Sequence, residues 1–131
     1  MDNLTFDGDF KGPSGKAIIR LQLIQFKDDD GITIIYAPMI DLSGYGHSIK
    51  AAQESFEIVL ADFLDYTMKK NSLGKILKEL GWEFHGSTKK PKKITPPSMS
   101  DFIRDNKYVS EIFDKYPVNT YHKKVDIPAY A

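Results

Sequence analysis

Alternating apolar and polar positions predict two strands near the start of the chain. Residues 17–26 alternate with a period of two, which gives one mostly apolar face and one mixed face. Asp28-Asp29-Asp30-Gly31 comes next, and Asp-Gly is a strong signal for a hairpin turn. Residues 32–37 alternate again and are rich in β-branched and aromatic side chains, so we predict a second, antiparallel strand there.

A period of three to four residues begins after this region. It predicts an amphipathic helix from Ser48, a good N-cap, to about Lys70. Residues 73–80 predict a second, short helix, which Gly81 ends. The positions that follow this spacing in the long helix are Ile49, Ala52, Phe56, Val59, Leu60, Phe63 and Thr67.

The patterns after Gly81 are shorter. Residues 82–84 indicate a returning strand, and the lysine-rich residues 89–93 indicate a linker. Residues 98–103 and 109–113 predict short helical turns, the first of them capped by a serine. Residues 121–130 alternate and predict a last strand.

Together these elements predict an α+β fold. We expect an antiparallel sheet of three or four strands with one long helix packed on a face, in a β-β-β-α-β-like order, and a C-terminal helical and strand extension. The third strand would lie in the turn-rich residues 41–47. We divide the chain into a flexible N-terminal segment (1–15), an α+β domain (16–88) and a linker with the extension (89–131).

Residues 36–52 carry a resemblance to a known family. They read Tyr-Ala-Pro-Met-Ile-Asp-Leu-Ser-Gly-Tyr-Gly-His-Ser-Ile-Lys-Ala-Ala. The proline and the Asp-Leu-x-Gly-x-Gly turn, behind a β-hairpin and ahead of a helix with alanine in its first turn, resemble the HicB antitoxin family. Across residues 17–85 the resemblance implies a fold similar to a double-stranded-RNA-binding domain. It also implies that the protein neutralises a small HicA-type ribonuclease.

The same resemblance implies where the partner binds. The proline and glycines would fix the path of the turn, and the other side chains would supply contact area and one negative charge. Two alternatives stay open: Asp41 bonds to turn amides, and His47 is a polar residue at the entry to the helix. The predicted partner-binding residues are Tyr36, Pro38, Met39, Asp41, Tyr45 and His47.

Composition limits the classes of function. The chain has 18 basic and 18 acidic residues, and a net charge of zero argues against a dedicated nucleic-acid or membrane-surface protein. It has no cysteine, which excludes disulfides and thiolate sites.

The acidic N-terminus does not resemble a signal peptide, and no apolar run is long enough to span a membrane. We therefore expect a cytoplasmic protein without membrane contact. No DNA-binding motif is recognisable in the C-terminal part, so DNA binding stays open.

The sequence does not predict catalytic chemistry. Asp28-Asp29-Asp30 lacks the spacing of a calcium loop, so a solvated hairpin tip is the better interpretation. His47, His85 and His122 lie in separate segments without metal-ligand spacing. We therefore predict no catalytic residue, metal or cofactor, and we rank an enzyme last among the functions.

Other binding functions remain as alternatives to an antitoxin. One is an orphan homo-oligomer, in which the last strand, with Val125, Ile127 and Tyr130, pairs with a neighbouring subunit. Another is an RNA-binding module without a toxin partner. We also predict that the protein is not monomeric, because the last strand has no hairpin partner nearby in the sequence.

Overall fold

The computed structural model describes residues 16–86 and 91–128, which form six strands and four helices. The elements in chain order are β1 (Lys16–Lys27), β2 (Thr33–Ala37), β3 (Leu42–Gly46), α1 (Ile49–Lys69), α2 (Leu73–Glu79), β4 (Glu83–Gly86), β5 (Pro91–Thr95), α3 (Met99–Asp105), α4 (Lys107–Lys115) and β6 (Asn119–Pro128). The predicted α+β fold is confirmed.

The main sheet is antiparallel, with the strand order β3-β2-β1-β6. β1 and β2 form the predicted hairpin. Oδ1 of Asp28 accepts hydrogen bonds from the backbone N–H groups of Asp30 and Ile32, both at 2.9 Å. Gly31 has a φ of 80°, a left-handed conformation that costs glycine little. The backbone of the Asp-Gly turn is therefore held by local hydrogen bonds.

The last strand of the sequence occupies the place beside β1. β6 pairs with β1 at ten positions, from Lys16 opposite Pro128 to Gln25 opposite Asn119. The strand predicted at residues 82–84 exists as β4, but it pairs with β5 in a separate two-stranded sheet. An alternating pattern indicates a strand without indicating its partner, which explains the difference.

The predicted linker is partly a strand. Lys92 and Lys93 belong to β5, whereas Lys89 and Lys90 lie outside the described residues. The chain that follows the expected boundary at residues 88 and 89 thus contributes strands to both sheets.

α1 covers the sheet face that carries Ile19, Leu21 and Leu23, each at most 3% exposed. Ser48 caps this helix: its Oγ accepts a hydrogen bond from the backbone N–H of Ala51 at 3.0 Å. The helix side chains buried against the sheet follow the predicted spacing of three to four residues. They are Ala52, Phe56, Leu60 and Thr67.

The second face of the sheet is covered at one end by α4. The ring of Phe26 lies 5.0 Å from that of Tyr116, the residue that follows α4. The ring of Tyr36 meets that of Tyr108 edge-on at 5.2 Å. Both sheet residues are buried, so the hairpin formed by β1 and β2 has packed side chains on both faces.

Phe56 and Ile58 provide a matched test of this packing. Phe56 is 2% exposed, and Phe56→Ala should lower the free energy of unfolding by about 3–5 kcal/mol because it removes a buried ring and leaves a cavity. Ile58 lies on the same helix but is 63% exposed, and Ile58→Ala should change stability by no more than about 0.5 kcal/mol. Urea denaturation measures both, and equal losses would contradict the assigned helix face.

Candidate partner-binding site

The turn between β2 and β3 buries two of the predicted contact residues. Pro38 is buried and Met39 is 0% exposed. The carbonyl oxygen of Met39 accepts a hydrogen bond of 2.7 Å from Nε1 of Trp82, which is itself buried. The side chains of Pro38 and Met39 are thus covered by the rest of the chain, so their predicted contact with a partner stays a prediction that their burial does not favour. They anchor the turn in the core. The sequence does not reveal this burial, because an apolar residue beside a proline can be buried or exposed.

Asp41 presents its carboxylate at the surface of the same turn. Its φ of 53° lies in the left-handed region, which aspartate tolerates better than most residues. Oδ1 of Asp41 accepts the hydroxyl of Tyr36 at 2.8 Å. Among the described residues no turn amide donates to this carboxylate, so the amide-bonding alternative for Asp41 does not apply. Asp41 is oriented by a tyrosine five residues earlier in the chain.

Tyr36 is the inner half of this pair. It is 7% exposed, and its ring packs against Tyr108, which is 48% exposed. Burial and the adjacent Asp41 carboxylate raise the pKa of Tyr36 far above its ordinary value. Burial also raises the pKa of Tyr108. Both hydroxyls therefore stay protonated at neutral pH, and Tyr36 can act only as the donor to Asp41.

Tyr45 is the most exposed aromatic of the predicted site. It lies on β3, at the edge of the main sheet, and 67% of it is accessible to solvent. Its backbone N–H donates to Oγ of Ser55 on α1 at 3.2 Å. The helix thus holds the backbone of this edge strand while the ring of Tyr45 projects into solvent.

Two glycines let α1 approach β3 closely. A Cβ atom on Gly44 would lie 2.3 Å from the backbone nitrogen of Phe56, and one on Gly46 would lie 2.6 Å from Cβ of Ala51. Real Cβ atoms do not approach other atoms so closely. The Gly-x-Gly spacing, part of the family resemblance, therefore has a packing role in this chain.

The remaining site residues differ in how well they are placed for a partner. His47 is exposed and directly precedes the helix cap Ser48. Asp41 and Tyr36 are in contact through their hydrogen bond. Tyr45 lies on β3, and His47 directly follows the last residue of that strand. Sequence reasoning missed Tyr108, because nothing in its own segment indicates that α4 packs beside Tyr36. Asp41 and Tyr108 are exposed beside Tyr36, and Tyr45 is exposed further along β3; we call these three side chains the turn surface. His47 is also exposed, but it follows the far end of β3, near the start of β2, so the structure does not bring it to the turn.

The structure describes two of the three residues that were predicted to form an oligomer interface. Val125 is 6% exposed and belongs to the core, so its side chain is not available to a second subunit. Ile127 pairs with Ala17 across β1 and β6. Tyr130 lies outside the described residues. No described strand pairs with the outer edge of β6, so that edge is open along the part of the chain that the structure describes.

A groove of about 480 Å³ lies between α1 and β6. Glu57 on α1 forms an ion pair with Lys123 on β6 across it. Burial raises the pKa of Tyr121, which also lines the groove. Because Glu57 and Lys123 neutralise each other, neither charge is available to a ligand in the groove.

The acidic hairpin tip interacts within the chain. Asp28 closes the turn, and Oδ2 of Asp29 accepts a hydrogen bond from Nζ of Lys115 at 3.0 Å. Within residues 16–86 and 91–128, no group of three or more histidine or acidic side chains is arranged to hold a metal ion. In the same ranges, no helix combines the length and the apolar character needed to cross a bilayer.

Comparison of the chain with protein-family models, curated proteins and solved structures gives no match. The resemblance to HicB antitoxins therefore depends on the residues quoted above alone.

Alkaline pH tests the contact between Tyr36 and Asp41. A tyrosine with a pKa raised by folding stabilises the folded protein below its unfolded pKa of about 10, and that stability is lost as pH rises further. Wild-type protein should lose stability above about pH 10 more steeply than Tyr36→Phe, which has no ionisable group at this position.

At neutral pH, Tyr36→Phe should cost about 0.5–1.5 kcal/mol through the lost hydrogen bond. Urea denaturation at a series of pH values measures both effects. Tyr66→Phe, which removes the hydroxyl of an exposed tyrosine that has no bond to Asp41, is the control. Parallel stability curves for wild type and Tyr36→Phe above pH 10 would contradict the assigned surroundings of Tyr36.

Proposed function

We propose that the protein is a cytoplasmic antitoxin of the HicB type, which neutralises a small HicA-type ribonuclease by direct contact. The observation that carries the proposal is the turn surface, formed by Asp41, Tyr45 and Tyr108. These exposed side chains sit on a backbone that is fixed from beneath by buried residues and by α1.

The chemistry of the turn surface suits protein recognition. Tyrosine is enriched at protein interfaces because its ring supplies a large contact area with few rotatable bonds. Tyr45 and Tyr108 are exposed by 67% and 48%. Their backbone positions belong to a strand and a helix, so binding would order little more than the side chains.

Charge supports a basic partner. Asp41 is exposed, and the bond from Tyr36 fixes the position of its carboxylate without neutralising its charge. A ribonuclease needs a basic surface to hold RNA phosphates, and a fixed carboxylate complements such a surface. Inhibition then follows from covering that surface, and the inhibitor needs no catalytic residue of its own.

A homo-oligomeric protein without a toxin is the second candidate. The open outer edge of β6 favours it, because an unpaired edge presents backbone donors and acceptors to another chain. Lys123 and Lys124 lie in the middle of this strand. Antiparallel pairing of two copies about that point would place like charges opposite each other, which is destabilising. This repulsion disfavours a symmetric pair of copies joined at that register, although Lys123 is itself paired with Glu57.

The double variant Asp41→Lys/Tyr45→Ala tests the proposed contact. It reverses the fixed charge and removes the most exposed ring, so it should abolish protection of cells that express the product of the neighbouring gene. Growth after induction and co-purification of the two proteins measure the effect. The matched control is Glu79→Lys/Ile103→Ala, which reverses one exposed charge on α2 and removes one exposed apolar side chain on α3, and it should leave protection unaffected.

Each result has a distinct meaning. A double variant that is folded by circular dichroism and still protects would refute the turn surface as the contact. A neighbouring gene product that is not toxic would refute the antitoxin function and favour the oligomeric alternative, which light scattering then tests at micromolar concentration.

A further inference from the structure

The exposed carboxylate of Asp41 lies beside two tyrosines. Its Oδ1 accepts the hydroxyl of Tyr36 at 2.8 Å, and the ring of Tyr36 meets the ring of Tyr108 edge-on at 5.2 Å. Burial, then Tyr116 and Asp41, raise the pKa of Tyr108, so the carboxylate is close enough to act on both tyrosines. We call Asp41 and Tyr108 the acid–ring pair.

The fold does not require a negative charge at position 41. Asp41 has a φ of 53°, a left-handed conformation that asparagine also adopts. The side-chain oxygen of an asparagine would accept the hydroxyl of Tyr36 as well. Neither structural role uses the negative charge, which leaves it for a ligand.

No cation of the described chain neutralises this charge. Within residues 16–86 and 91–128, no lysine, arginine or histidine forms an ion pair with Asp41, and its Oδ2 accepts no hydrogen bond. Lys107 directly precedes Tyr108 on α4, but it is not paired with Asp41 either. Both oxygens of the carboxylate therefore have room for donors from another molecule.

The ring of Tyr108 supplies a second element of recognition. An edge-on contact uses the edge of one ring and the face of the other, so at least one face of Tyr108 is not covered by Tyr36. Tyr108 is 48% exposed. A planar cation held by Asp41 can therefore lie against this ring in a cation–π interaction.

We infer that the acid–ring pair binds an arginine side chain of a partner protein. This inference rests on the proposed function, and it names the group that the partner brings to the turn surface. The guanidinium would donate to both oxygens of Asp41 and stack on the ring of Tyr108. Arginine fits better than lysine, because its planar fork donates to two oxygens at once and stacks on aromatic rings, whereas an ammonium is a point charge.

Other occupants fit the pair less well. RNA and anionic lipid surfaces carry the same sign of charge as Asp41 and would be repelled. A second copy of the chain would bring two arginines, and both are already engaged. Arg104 donates to Asp101 at 2.8 Å and to Asp105 at 3.0 Å. Arg20 also interacts with another group of the chain, so the arginine comes from a different protein.

Tyr45 is placed to contact the rest of such a partner. It pairs with Ile34 on β2, two residues before Tyr36, so the side chains of Tyr45 and Tyr36 point to the same face of the sheet. A protein whose arginine is bound at Asp41 would therefore meet Tyr45 on the same side of the molecule.

Three short peptides test the arginine site without the natural partner. Each is a capped tripeptide with glycine on both sides of arginine, lysine or citrulline, which has the shape of arginine without its charge. Titration at low salt, followed by the amide NMR signals of residues 41 and 108, measures each Kd. The arginine peptide should bind at least about threefold more tightly than the lysine peptide and at least about tenfold more tightly than the citrulline peptide.

Asp41→Asn should weaken binding of the arginine peptide by about tenfold or more, and Tyr108→Leu should remove the preference for arginine over lysine. The matched controls are Asp62→Asn and Tyr66→Leu, at an exposed aspartate and tyrosine one turn apart on α1. Nζ of Lys70 already lies 5.7 Å from the centroid of the Tyr66 ring, so both controls should bind like wild type.

Three results would overturn the arginine site. They are equal binding of any two of the peptides that differ in charge or shape, equal affinity of Asp41→Asn and Asp62→Asn, and a preference for arginine that survives Tyr108→Leu. The comparison of peptides on wild-type protein decides the question even where a variant fails to fold, which its amide spectrum shows.

The same variants in cells separate this inference from the proposed function. Loss of protection with Asp41→Asn, but not with Asp62→Asn, supports both. Full protection by Asp41→Asn refutes the arginine contact and leaves the antitoxin function intact. If wild-type protein gives no protection but the peptide results hold, the antitoxin function falls and the site stands as a receptor for the arginine of another protein.

Discussion

The close approach of α1 to β3 is the constraint on which the rest of the structure depends. There is no space for a side chain at Gly44, because Phe56 backbone atoms occupy the place that a Cβ would take. This contact seats Phe56 over the sheet, and it brings Ser55 within hydrogen-bond distance of the backbone of Tyr45. Helix and edge strand are thereby joined at the point where the proposed interface lies.

The core and the surface are consequences of the same arrangement. With α1 seated on β3, the opposite side of the helix faces solvent, and Ile58 on that side is exposed. Below the turn, the carbonyl oxygen of Met39 accepts a hydrogen bond from Trp82 in the core. Asp41 stays at the surface and accepts a hydrogen bond from the hydroxyl of Tyr36. Buried anchors thus hold a short polar and aromatic surface in place, as recognition by a preorganised surface requires.

Local patterns in the sequence were sufficient to predict the β1–β2 hairpin and the long helix. The hairpin followed from Asp-Gly between alternating segments, and the long helix from Ser48 and the spacing of its buried residues. The partner of β6 and the separate pairing of β4 with β5 depend on contacts between distant segments, which periodicity does not encode. For the same reason the sequence did not show which residues of the candidate site are exposed: Asp41, Tyr45 and His47 are exposed, Met39 is buried, and the contact of Tyr108 with Tyr36 comes from a distant segment.

The free energy of unfolding of Gly44→Ala tests the central contact most directly. In a strand with open space, replacing glycine by alanine gains roughly 0.5–1 kcal/mol, because alanine loses less backbone entropy on folding. Here the added methyl group must displace α1, so we predict a loss of about 1–3 kcal/mol or more, while Ser43→Ala at the exposed neighbouring position changes stability by less than about 0.5 kcal/mol. A Gly44→Ala protein at least as stable as wild type would contradict the close packing of α1 on β3.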